Sequence, residues 1–192
     1  MGKVRHLYNS EDGYNYGVSI KPEFNTGEEP KMGERWKSEV SGRITGQGLS
    51  PIFFDVQGMG TEQLMALKEV PVITAGATKS ARKGRTPDGI MDRQSLIYQF
   101  MIKPPELTGG QLWLSDGVTS GIYSYRFAGF DSLPITALGG VRAIKLVISI
   151  IDSAEAIELW LVPDMHYLPV KVRHTDRNGV VTEQEAVSLE FN

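Results

Sequence analysis

The sequence contains no cysteine, which removes disulfides, thiol nucleophiles and thiolate-ligated metals together. The compartment stays open, since a thiol-free chain survives in reducing and oxidising surroundings alike. Long apolar runs are missing too. The longest, Ile144 to Ile151, has eight residues with Ser149 inside it, against the roughly 20 a membrane-spanning helix needs, and it suits a buried strand. Charge of one sign is scarce: 20 Lys and Arg oppose 23 Asp and Glu, for a net −3. No global field draws in nucleic acid or an anionic membrane, so neither a nucleic-acid partner nor a transmembrane segment is expected.

Catalytic signatures are absent as well. The chain has no G-x-S-x-G elbow, no H-E-x-x-H and no C-x-x-C. His6, His166 and His174 show no ligand spacing, so neither metal nor cofactor is expected. Gly46-Gln47-Gly48 and Gly58-Met59-Gly60 each begin a G-x-G-x-x-G without its third glycine. No βαβ unit follows, and they read as turn glycines. The acidic residues single out no acid/base pair.

What remains is a strand pattern. Trp36, Val40 and Ile44 share one parity, while Arg35, Lys37, Glu39 and Arg43 share the other. Such alternation predicts a strand wet on one side. Tyr14, Tyr16, Val18 and Ile20 predict a second. Strands are also expected at 111–115, 118–127, 141–152, 156–162, 168–177 and 180–191, with Asp116-Gly117 and Asn178-Gly179 as two-residue turns. A type I′ turn at Asn178-Gly179 would set His174 opposite Glu183 and Val172 opposite Glu185. One helix is predicted, capped by Asp92, with Leu96, Ile97, Phe100 and Met101 as its apolar stripe and Pro104-Pro105 as its stop. The stretch 61–70 leans to strand. The stretch 76–89, with Lys79, Arg82, Lys83 and Arg85, reads as a solvated basic loop.

Several of these segments resemble the bacterial family called domain of unknown function 3108. Arg35-x-x-Ser38 followed by Gly42-Arg43-Ile44-Thr45 and Gly48-Leu49-Ser50-Pro51-Ile52-Phe53-Phe54 is similar to its opening block, and Asp92 to Phe100 to its central one. Gly139 and the run from Trp160 to Arg173 resemble its closing signature. The likeness covers roughly residues 30–191. It implies an exported protein of a Gram-negative periplasm or cell envelope whose leader is absent here, since Met1-Gly2-Lys3 opens no apolar leader segment. It further implies an outline like the half-barrels that carry lipids or lipoproteins. No catalytic residues come with it.

The expectation is therefore a single β domain over 1–192. Its fold is an all-β, curved antiparallel sheet or half-open β-barrel with one or two short helices packed over it. The leading function is non-catalytic: a lipid or acylated ligand held in the concave face. Tyr123, Tyr125 and Phe127 share one strand parity and supply its walls, and Leu96 and Phe100 supply its cover. A protein-interaction module with a filled interior is the alternative, and a hydrolase built from Asp, Glu and His the third.

Overall fold

A computed structural model describes residues 3–10, 13–23, 37–57, 81–85, 90–115, 120–150 and 153–189. Along the chain run β1 (Lys3–Asn9), β2 (Asn15–Glu23), β3 (Lys37–Thr45), β4 (Gly48–Gln57), β5 (Ala81–Arg85), β6 (Met91–Asp92) and helix α1 (Arg93–Ile102). After the helix come β7 (Gly110–Ser115), β8 (Ser120–Ile135), β9 (Gly139–Ser149), β10 (Ala156–Val162), β11 (Leu168–Thr175) and β12 (Val181–Glu185). The fold is all-β, with two sheets where one was expected. One is five-stranded in the order β1-β2-β3-β4-β5, and the other is seven-stranded in the order β12-β11-β10-β9-β8-β7-β6. The second curves into a half-barrel, with β8 to β12 paired antiparallel and β6 parallel to β7. The chain divides into two compact units, Met1–Leu96 with Leu114–Ser120, and Ile97–Trp113 with Gly121–Asn192.

In the first unit the predicted alternation decides which face is buried. Tyr16, Val18 and Ile20 of β2 and Val40 of β3 are buried, while Ser41 and Arg43 face outward. Tyr14, on the same parity just before β2, is 75 % exposed. The turn at Gly46-Gln47 joins Thr45 to Gly48 directly, and the Thr45 hydroxyl donates to the Gly48 carbonyl at 3.0 Å. Those glycines serve a turn. The expected basic loop is a strand over Ala81–Arg85, each residue of which pairs with one of Phe53 to Gln57 of β4. Pairing with an open strand edge overrode the low strand preference of Lys, Arg and Gly. Lys79, Gly58-Met59-Gly60, Asp116-Gly117 and the stretch 61–70 lie outside the described residues.

Two bulges flank one crosswise row of the second unit. Ala128 is an extra residue on β8, between the pairs Phe127 with Leu146 and Gly129 with Lys145. Val170 is an extra residue on β11, between Trp160 with Lys171 and Leu161 with Pro169. Lys145 and Trp160 are themselves paired, so both bulges meet the same crosswise row. A bulge bends its strand and adds twist, and two in register crease the sheet along one line. One apolar cluster on this unit gathers Ile135, Ala143, Trp160, Val162, Leu168 and Val170. Trp160 is anchored by its Nε1–H, which donates to Asp131 Oδ2 at 2.6 Å.

The last hairpin differs from its expected register by one residue. Arg173, not His174, lies opposite Glu183, and His174 faces Thr182. The Gly179 N–H bonds the Asp176 carbonyl at 3.0 Å, and only Gly179 in this turn takes a positive φ, at 81°. That is a three-residue loop with glycine in the left-handed position, not the type I′ turn, which would need positive φ at Asn178 too. Asp176 decides the matter: its Oδ1 accepts the N–H groups of Asn178 and Val180, each at 2.8 Å. The shift turns every side chain of β12 to the other face and brings Arg173 within 2.8 Å of Glu183.

Candidate ligand-binding face

Helix α1 starts where the sequence places it. Asp92 Oδ1 accepts the N–H groups of Gln94 at 2.8 Å and Ser95 at 2.9 Å, the bonds an N-cap makes. The helix is buried more widely than its apolar stripe foretold. Leu96 and Phe100 are enclosed, but so are Ser95, Tyr98 and Gln99, while Ile97 and Met101 are half-buried. The Ser95 hydroxyl donates to Asp92 Oδ2 at 2.5 Å and lies 2.7 Å from the Tyr16 hydroxyl. Gln94 Nε2 donates to the Ser38 hydroxyl. Burial holds the Asp92 carboxyl above its usual range, with the Ser95 bonds pulling the other way, and burial pushes the Tyr16 phenol up. An Asp, Ser and Tyr in sequence suggest acid/base chemistry, but Ser95 is 0 % exposed. Its hydroxyl is committed to holding the helix start to β2, out of a substrate's reach.

The predicted aromatic residues lie on one face of β8. Tyr125 pairs with Ile148 and Phe127 with Leu146, and past the bulge Phe130 pairs with Ile144. Across β9 the same rows continue to Ile157, Leu159 and Leu161 of β10, all buried. The aromatics thus stand beside a dry aliphatic floor. Their exposure grades along the strand: Tyr123 is 3 % exposed, Tyr125 and Phe127 are half-buried, and Phe130 is 51 % exposed.

Each ring is held differently. The Tyr123 hydroxyl donates to Glu155 Oε1 at 3.1 Å, and that buried carboxylate takes the Arg177 Nε–H at 3.0 Å. Tyr125 meets Phe100 edge-on at 5.5 Å, and its hydroxyl accepts the Glu106 N–H at 3.2 Å. Its ring lies so close over Gly110 that a Cβ there would stand 2.6 Å from Tyr125 Cε1 and would have to displace the ring. Phe127 and Phe130 pack edge-to-face at 5.2 Å. The Arg142 guanidinium lies over the Phe130 ring, 4.1 Å from its centroid. The structure therefore brings Tyr123, Tyr125, Phe127 and Phe100 together in one unit, whereas Leu96 belongs to the other.

Sequence reasoning missed Phe130 and Arg142. On plain alternation Phe130 falls on the opposite face from Phe127, and only the bulge at Ala128 returns it. Gly129, with φ of 128°, was the available signal, since a lone glycine inside a strand pattern marks a bulge.

The opposite face of the same sheet carries ion pairs beside the buried Trp160. Glu158 pairs with Lys145 and Arg173, and Lys171 with Glu183 and Glu185. Lys171 and Arg173 hold the Glu183 carboxyl below its usual range. A separate depression of about 360 Å³ lies on β1–β3, lined by Leu7, Asn9, Gly17, Ser19, Glu39 and Ser41 among others. Among the described residues no helix is long and apolar enough to cross a membrane. Compared with protein-family models, with curated proteins and with solved structures, the chain finds no match.

Proposed function

We propose that the chain is a non-catalytic binding protein that holds the apolar part of a lipid or acylated ligand along the β8 aromatic row. The observation that carries this reading is the graded exposure from Tyr123 to Phe130 on one face. A purely structural row would be closed along its length, whereas this one opens to solvent at two phenylalanines in mutual contact. Phe100 of α1 covers the middle of the row through Tyr125, in the position of a lid. A place in the cell envelope is proposed with it and rests on the sequence resemblance alone.

The experiment is a thermal shift with fatty acids, phospholipids and acylated peptides. A ligand confined to the folded state stabilises it by about 2.7 kcal/mol at a hundredfold excess over Kd. A raised midpoint supports the proposal, and an unmoved midpoint with every probe counts against it. A protein-interaction module is the second reading. It is favoured by Trp113 and Ile122, 54 % and 58 % exposed, because exposed large apolar side chains are what interfaces use.

A further inference from the structure

We infer that Arg142 is the head-group residue of this face, so that the ligand is an anionic amphiphile with a carboxylate or phosphate on an apolar chain. The inference rests on the binding reading above and narrows it to one ligand class. Arg142 lies at the exposed end of the aromatic row, its guanidinium carbon 4.1 Å from the Phe130 ring centroid.

The ring attracts the guanidinium charge through its π electrons and offers no oxygen to accept the N–H donors. Their fork matches two coplanar oxygens of a carboxylate or phosphate. Four nearby cations are committed elsewhere: Lys145 to Glu158, Lys171 to Glu183 and Glu185, Arg173 to Glu158 and Glu183, and Arg177 to Glu155. Among the described residues no carboxylate reaches Arg142. An exposed arginine that is held against a ring, meets no counter-charge among the described residues and borders half-buried aromatics has the charge complementarity an anionic head requires. Arg126 also has no carboxylate partner among the described residues, but it pairs with Val147 and so points to the opposite face. It serves as the internal control.

The test titrates the protein with dodecanoate, dodecyl phosphate and dodecanol below their aggregation limits, and with inorganic phosphate alone. Wild type should bind both anionic chains about tenfold or more tighter than the alcohol, the discrimination expected of a charge-assisted bidentate contact. Arg142→Gln should abolish that preference, so that both anionic chains bind no tighter than dodecanol binds the same variant, and Arg126→Gln should retain it. Inorganic phosphate should not compete, because the chain supplies the apolar half of the affinity. Equal binding of acid and alcohol by wild type, or a preference that survives Arg142→Gln, overturns the assignment of Arg142 and leaves the aromatic row standing. Competition by free phosphate at similar concentration overturns the amphiphile class. Failure of all three chains to bind overturns the row itself, and this inference with it.

Discussion

Replacing Phe100 by alanine separates a fixed cover from a loose one. The side chain is 3 % exposed and meets Tyr125 edge-on, with 5.5 Å between centroids and 67° between planes. Removing a fully buried aromatic loses about 1.5–3 kcal/mol of transfer free energy. The unfilled space raises the total to about 3–5 kcal/mol, since packed surroundings relax only in part. Chemical denaturation followed by circular dichroism should show a lower midpoint at an unchanged slope, the sign that stability and not compactness has changed. Tyr125→Phe is the companion variant. It keeps the ring contact and loses only the hydroxyl that accepts the Glu106 N–H, for about 0.5–1.5 kcal/mol. A loss below about 1 kcal/mol for Phe100→Ala, the range of surface substitutions, would refute tight packing of the helix on the row.

Asp92 gives a pH dependence whose sign follows from its burial. A carboxyl with a raised folded-state pKa contributes stability below the unfolded value of about 3.9, and loses it as pH rises through the folded value. Asp92→Asn keeps a capping side chain and removes the titration, so the gap between wild type and variant should move in the variant's favour from pH 4 to 7. A gap that does not vary with pH contradicts the buried-carboxyl argument. In the last hairpin, Asp176→Ala removes the acceptor of two backbone N–H groups and should cost about 1 kcal/mol by urea denaturation, while Asn178→Ala should be silent. The reverse pattern would restore the two-residue turn. Trp160→Phe loses the bond to the Asp131 carboxylate and should cost about 1.5–3 kcal/mol. No measurable change would mean that Asp131 finds an equivalent partner in water.

Legibility in the sequence tracked the reach of each physical signal. Alternation over 35–44 and 14–20 located β3 and β2, because one buried face and one wet face leave a period-two record in residue type. Asp92 and the two prolines bounded the helix for equally local reasons. The burial of Ser95 and Gln99 could not be read, since polar residues count as solvent-facing until their partners are known. Tyr16 stands 79 residues from Ser95. The hairpin register failed on a single side chain: Asn-Gly signals a tight turn by composition, but Asp176 held out two better bonds to a longer one. β5 was hidden because its residue types favour a loop and only its neighbour makes it a strand. On the β8 face the three aromatics were visible from parity. The open end was not, because a bulge shifts parity without altering composition.

Photo-crosslinking reads out whether an apolar chain lies along β8 from Tyr125 to Phe130. A fatty acid carrying a diazirine in its chain, bound to the intact protein and irradiated, leaves a covalent mark that peptide mapping locates. Label is expected on the segments bearing Phe127, Phe130 and Phe100, reduced by excess dodecanoate and by Phe127→Ala with Phe130→Ser. Label confined to the β1–β3 depression around Leu7 and Ser41, or to Trp113 and Ile122, or none above an unrelated control protein, would contradict that placement of the chain.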